Sequence, residues 1–172
     1  MNQDTDLSAH TVLLAALAKL MRPTLYVEFG VQSGFTISAV APFCGRAVGC
    51  DVRRYPLTET RGFEFHQVDT EQFCREVLPT LPPVELALID ADHDAGAVLR
   101  DFQFLAEYAA PNALICLHDT FPESRQQTDP LFCGDSYRVP DLLRGLGFHD
   151  VLTLPIPPGL TIVRLNPTET AR

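Results

Sequence analysis

The sequence predicts an α/β fold: a doubly wound, mostly parallel seven-stranded sheet that closes with a C-terminal antiparallel hairpin. Three observations carry this expectation. Short apolar, β-branched-rich runs alternate with segments of helical spacing five times before two last strand-like runs. Runs such as Val84-Glu85-Leu86-Ala87-Leu88-Ile89 are apolar almost throughout, as strands covered on both faces are. Polar residues or glycine then follow the runs at Gly30, Asp51, Asp69, Asp90, His118 and Asp119. In doubly wound sheets crossovers are right-handed, and ligands bind beyond the carboxyl ends of the strands at the topological switch point. These residues therefore belong to one edge of the molecule.

The elements follow in order. Asp6 is placed to cap a Leu- and Ala-rich helix from Leu7 to Met21, stopped by Pro23. Leu25 to Phe29 reads as the first strand, Gly30 to Gly34 as a tight turn with Ser33 at the N-cap, and Phe35 to Ala41 as a helix closed by Pro42. Ala47 to Asp51 is the second strand and Gly62 to Val68 the third, with only ten residues between them, barely enough for a crossover. Asp69-Thr70-Glu71-Gln72 resembles a capping box for a helix ending at Leu78-Pro79. The fourth strand, Val84 to Asp90, leads to a helix capped by Asp94, whose Val98, Phe102, Leu105, Ala106 and Ala109 keep helical spacing up to Pro111. Ala113 to Leu117 is the fifth strand. Residues 120–137 have no clear period and suit a lid over the strand ends. A helix near Pro140 to Leu146 precedes strands at Asp150 to Leu154 and Leu160 to Leu165, which flank a proline-rich turn.

A length of 172 residues with 46% hydrophobic residues suits a single domain spanning residues 1–172, with an N-terminal helical segment over 1–22. No apolar run reaches the roughly 18 residues of a membrane span, and Met1 to Asp6 lacks the basic start of a signal peptide, so a cytoplasmic protein without a membrane partner is expected. The formal charge of −9 argues against nucleic acid as a partner, because a phosphate-tracking surface needs clustered Lys and Arg and Arg53-Arg54 is the only adjacent basic pair. Five cysteines without a C-x-x-C pair indicate neither a disulfide framework nor a zinc site.

The turn after the first strand holds the most informative spacing. A dinucleotide site needs G-x-G-x-x-G, whereas this turn offers Gly30 and Gly34 with Glu28 just before the first glycine. An ordinary strand-to-helix turn fits the same residues. Taken with Asp51, with Val68-Asp69-Thr70, with Ile89-Asp90 and with the closing hairpin, the order of motifs resembles the class I S-adenosylmethionine-dependent methyltransferases, of Rossmann-like fold, over nearly the whole chain. The resemblance implies S-adenosyl-L-methionine as cofactor. It places Glu28, Gly30, Val31, Ser33 and Gly34 near the methionine part, Asp51 on the ribose hydroxyls, and Asp69 with Thr70 near the adenine, with Asp90 also at the cofactor. Asp51 has its own physical case, since a carboxylate can accept from both hydroxyls of a ribose. Asp69 serves equally well as a helix N-cap.

Ile89-Asp90-Ala91-Asp92-His93-Asp94 with Leu117-His118-Asp119-Thr120 resembles, more narrowly, the metal-dependent O-methyltransferases of the catechol, caffeoyl-CoA and macrolide-sugar types. That resemblance implies Asp90, His118 and Asp119 as ligands of Mg2+ or Mn2+, and His93 with Asp90 as the catalytic pair. His93 stands where the macrolide-sugar enzymes carry a histidine base. A cation on two vicinal hydroxyls lowers the pKa of the one to be methylated, and an imidazole titrating near neutrality suits its proton. The sequence departs from the catechol and caffeoyl types in carrying His118-Asp119 where they have Asp-Asn, and a nitrogen ligand favours manganese or iron over magnesium, or no metal. His118 then serves as a hydrogen-bonding residue, and Asp92 and Asp94 as a helix-start cluster. His10, His66 and His149 have no acidic partner at useful spacing and are given no role.

The function expected is therefore O-methylation of a small hydroxylated metabolite. The acceptor pocket is completed by the first helix, by residues 120–137 or by a second copy in a homo-oligomer. The alternative is a methyltransferase-like fold that binds a nucleoside or a partner protein without catalysis, which would not need the group of Asp90, His93 and Asp119. A nicotinamide oxidoreductase is disfavoured by the missing middle glycine.

Overall fold

A computed structural model describes residues 7–55, 62–148 and 150–166. Helix α1 spans Ala9–Met21 and is followed by strand β1, Leu25–Phe29. Helix α2 is Phe35–Val40, and strands β2 and β3 are Arg46–Cys50 and Glu64–His66. Helix α3, Thr70–Gln72, continues as a π turn over Phe73–Val77 and a 3₁₀ turn over Leu78–Thr80. Strand β4 is Val84–Ile89, helix α4 Ala95–Glu107 and strand β5 Ala109–His118. Helix α5, Val139–Gly145, leads to the antiparallel strands β6, Val151–Leu154, and β7, Leu160–Arg164.

All these strands join one sheet in the order β3-β2-β1-β4-β5-β7-β6. The pairs from β3 to β5 are parallel, and β7 runs antiparallel to both β5 and β6. The doubly wound sheet with its terminal hairpin is thus as expected. Strand periodicity divides the core between the two faces. Leu25, Val27 and Phe29 join Phe73, Phe102 and Leu105 on one side, whereas Tyr26 joins Leu86, Leu88, Leu14 of α1 and Ile37 of α2 on the other. Glu28, two residues from Tyr26, therefore lies on the α1/α2 face, in apolar company.

Several boundaries differ from expectation. Helix α1 starts at Ala9 after Ser8, and the cap expected of Asp6 falls outside the described residues. Ser33 is not the N-cap of α2: Gln32 at φ 48° and Gly34 at φ 79° spend the turn in the left-handed region, so Gly34 takes the cap position and Phe35 opens the helix. The third strand shrinks to three residues because only Glu64 to His66 pair with β2. Ala109 belongs to β5 rather than to α4: the strand begins there, paired with Val84, and a register shift next to that pair lets it pass Pro111. The two side-chain caps formed as read, with Asp69 accepting from the backbone N–H of Gln72 and Asp94 from that of Ala97. The five cysteines are free thiols, and Cys50, Cys74, Cys116 and Cys133 are buried.

Candidate active site

Strand order decides where the chemistry sits. Helix α2 takes the chain from β1 to β2 on one side, while β4 lies on β1's other side, so the sheet reverses direction between β1 and β4. Gly30 leaves β1 at this switch point, with Asp51 after β2, Asp90 after β4, and His118 and Asp119 at the end of β5.

Gly30 is required twice over. Its φ is 85°, and a Cβ built on it would run into the backbone carbonyl of Asp90 and the Cα of Ala91. The turn is held by backbone donors: Gly30 N–H and Val31 N–H reach Cys50 O at 2.9 and 3.3 Å, and Asp90 N–H reaches Phe29 O at 2.9 Å. Asp51 braces it from the side, Oδ2 accepting from Gln32 N–H at 2.8 Å and Oδ1 from Arg53 N–H at 2.9 Å. Each carboxylate oxygen keeps a further lone pair for a ligand hydroxyl. Beside this brace, Asp51, Asp69 and Thr70 share a narrow cavity of about 50 Å³ with Gly30. Thr70 is fixed from behind by Asp101, a buried acid that the sequence reading passed over, whose Oδ1 accepts from Thr70 Oγ1 at 2.9 Å. Burial pushes the Asp101 carboxyl up to about 6.

On the other side of Gly30 opens a wider cavity of about 440 Å³. The strand ends give it Glu28, Gly30, Ser33, Asp90 and His118, and the start of α1 adds His10 and Thr11. Glu28 is 1% exposed and accepts from the Tyr26 hydroxyl at 2.6 Å. Burial in that apolar layer raises its pKa to about 8, against the opposing pull of the tyrosine hydrogen bond.

Two residues that line this wider cavity, Asp90 and His118, belong to a charged group at the ends of β4 and β5. One ligand atom each of Asp90, His93 and Asp119 lies within 4.8 Å of the others. His93 Nε2 is 3.1 Å from Asp119 Oδ2, and His93 Nδ1 is 3.4 Å from the Pro130 carbonyl. His118 Nδ1 lies 3.0 Å from Asp90 Oδ1 and 3.3 Å from Asp119 Oδ1. That nitrogen is buried, yet its alignment makes a hydrogen bond with neither carboxylate. Asp119 itself sits at φ 60°, a costly conformation for a residue with a side chain, and Cys133 Sγ contacts its Oδ1 at 3.5 Å. Burial opposes charge on His118, but the Asp119 and Asp90 carboxylates outweigh it and raise its pKa to about 10. Burial likewise works against the Asp119 anion, and His118 and His93 hold that carboxyl well below the usual range. Asp119 in turn raises His93.

The structure thus brings together Asp90, His93, His118 and Asp119, and His93 stands inside the compact acidic group rather than apart from it. Two histidines without an expected role have partners. His66 pairs with Glu64, two residues away on the same face of β3, at 2.7 Å. His10 meets His118, its Nδ1 2.9 Å from His118 Nε2. Burial and then the neighbouring His118 lower the pKa of His10 to about 4. His149 lies outside the described residues. Residues 120–137 are tied to the site at their far half, where Asp135 N–H donates to His93 O at 3.0 Å and Asp135 Oδ1 accepts from Ala95 N–H at 2.7 Å. Their Leu131 and Phe132 side chains face solvent. Among the described residues no helix is long and apolar enough to cross a membrane.

Comparison with known proteins agrees with the fold. A family model described as a methyltransferase domain matches residues 27–120, the stretch from β1 to just past Asp119. The sequence matches none of the curated proteins with which it was compared. Among solved structures, a Klebsiella pneumoniae protein described as an O-methyltransferase superposes with a TM-score of 0.74 at 16% identity, covering 95% of this chain and 83% of that one. The O-methyltransferase TomG of Streptomyces achromogenes, solved with S-adenosylmethionine, gives 0.68 at 19% identity over 95% and 83%. An O-methyltransferase of Bacillus cereus, solved with S-adenosylhomocysteine, gives 0.68 at 15% identity over 95% and 84%. Identities this low speak for the fold, while the family model covers more than half of the chain, so the protein belongs to the methyltransferase domain family.

Proposed function

We propose that this methyltransferase moves the methyl group of S-adenosylmethionine to a hydroxyl oxygen of a small metabolite, assisted by a divalent cation. The observation that carries the reading is the meeting at Gly30 of two unlike cavities: one offers the Asp51 carboxylate and Thr70, the other an ionisable cluster one strand away. In this reading the ribose hydroxyls bind Asp51, the adenine lies by Asp69 and Thr70, and the methionine end passes Gly30 to Gly34 toward Glu28. Support comes from the similar structures that hold S-adenosylmethionine or S-adenosylhomocysteine.

The residues fit a cation. His118 Nδ1 and the two carboxylates converge at 3.0 and 3.3 Å without a well-aligned hydrogen bond, so a cation could take the place of the proton that the carboxylates hold on the ring. Asp90, Asp119 and His118 would hold the ion, and the mixed oxygen and nitrogen set suits manganese or iron better than magnesium. Bound there, such an ion would polarise the acceptor hydroxyl and lower its pKa. His93 serves as the base in its neutral form, with Nδ1–H kept on the Pro130 carbonyl and Nε2 free to take the acceptor proton once it has released its own. On taking the acceptor proton, Nε2 gains an ion pair with Asp119 at 3.1 Å. Glu28, neutral below a pKa of about 8, adds no repulsion to the acidic wall.

Calorimetry with S-adenosylhomocysteine tests the cofactor, and a ligand at a hundredfold its Kd should stabilise the fold by about 2.7 kcal/mol. No binding would remove the reading. With an acceptor in hand, activity should fall on chelation and return with Mn2+, and full activity in excess EDTA would remove the cation. Binding without turnover on any hydroxylated acceptor would favour the non-catalytic alternative.

A further inference from the structure

His10 lies 108 residues from His118, yet the two rings meet edge-on with centroids 4.2 Å apart. Its other nitrogen is equally engaged. His10 Nε2 is 3.1 Å from Ser8 Oγ, Ser8 Oγ is 2.8 Å from Thr11 Oγ1, and Thr11 Oγ1 is 2.8 Å from Thr36 Oγ1 on α2. The imidazole is therefore clamped between the end of β5 and a row of hydroxyls that belongs to two helices. Packing alone does not call for such a row, because Thr11 is buried on an otherwise apolar helix face.

A nitrogen that ligates a cation offers its lone pair, so a neutral imidazole binding through Nδ1 carries its proton on Nε2. For His118 the atom facing that proton is His10 Nδ1, at 2.9 Å. Metal-bound histidines are commonly held by such an acceptor, which fixes both tautomer and ring angle. We infer that His10 is a positioning residue: by accepting the Nε2–H of His118 it turns His118 Nδ1 into the gap between Asp90 and Asp119 and makes the first helix part of the cation site. The chain of contacts then has one direction, with His10 Nε2–H donating to Ser8 Oγ. This rests on the cation reading of the proposed function.

The test compares wild type with His10→Asn, whose side-chain oxygen can accept from about the place of Nδ1, and with His10→Phe, which keeps bulk and removes the acceptor. Mn2+ affinity is read by electron paramagnetic resonance, and the His118 tautomer by 15N NMR of the Zn2+-loaded protein. Wild type and His10→Asn should show His118 protonated at Nε2. His10→Phe should lose that single tautomer and bind Mn2+ about 10- to 100-fold more weakly, the usual effect of removing such a partner. Ser8→Ala, which leaves the fold's core untouched, should give a smaller loss in the same direction and decides the matter if His10→Phe does not fold. An unchanged tautomer and Mn2+ affinity in these variants would overturn the inference while the cation reading stood. Absence of Mn2+ and Zn2+ binding in wild type would overturn the cation reading and the inference together, and S-adenosylhomocysteine binding would then show that the cofactor reading survives.

Discussion

The two sides of Gly30 are built by opposite means. Toward β2 the site is backbone work: the carbonyl of Cys50 and the carboxylate of Asp51 hold the N–H groups of Gly30, Val31 and Gln32, all within 21 residues of one another. Toward β5 it is side-chain charge: contacts of 3.0 to 3.3 Å link His93 to Asp119 and His118 to both Asp90 and Asp119, with His10 and Cys133 in support. The first kind of site depends on shape and tolerates no added atom at its pivot. The second depends on the balance of charges and should respond to pH, to cations and to single side chains without loss of the fold.

The sharpest break of this comparison falls on catalysis at the charged side. His93→Ala should lower turnover by about 10² to 10⁴ and leave S-adenosylhomocysteine affinity unchanged, as loss of a general base does. Steady-state rates beside calorimetry check it, and an undiminished rate would take His93 out of the base role. At the pivot, Gly30→Ala should cost roughly 2–5 kcal/mol, from the strain of a positive φ together with overpacking against the Asp90 carbonyl. Urea denaturation measures this, and a variant as stable as wild type would break the account of the turn.

Next in size, Asp51→Ala should weaken S-adenosylhomocysteine binding by about 1.5–3 kcal/mol, the range for hydrogen bonds to a charged group. Unchanged affinity by calorimetry would remove Asp51 from the ribose. The last break concerns Glu28 and is read as a slope against pH. Its folded pKa of about 8 lies above the usual value of 4.5, so the folded state holds a proton that the unfolded chain has released. Its contribution to stability is fully present below pH 4.5 and is lost as the pH rises toward 8. Glu28→Gln lacks that slope, so the stability of wild type relative to the variant should decline across this window; a constant difference in urea midpoints would show that Glu28 ionises normally.

What could be read without coordinates was local. The caps of Asp69 and Asp94 are three-residue relations, and the alternation that buries Tyr26 and Glu28 on one face and Val27 on the other is a property of the strand itself. A serine before an apolar helix is a good cap in general, whereas at Ser33 the left-handed conformations of Gln32 and Gly34 carry the cap position one residue on. His66 has its acidic partner at i−2, because on a strand that spacing puts Glu64 on the same face.

Amino-acid order alone determined the alternation of strands and helices, and with it which residues end a strand. The register of apolar runs and the position of glycines are written in neighbouring residues, and a parallel sheet then carries every strand end to one edge. Only the tertiary structure decided that β4 and β5 lie side by side, that His93 turns back to Asp119, that Asp101 stands behind Thr70 and that His10 reaches His118. Contacts between residues tens of positions apart leave no periodicity in a sequence. They exist because burying two faces of one sheet forces α1 and the loop after β5 over the same strand ends, where ionisable groups removed from water must find partners.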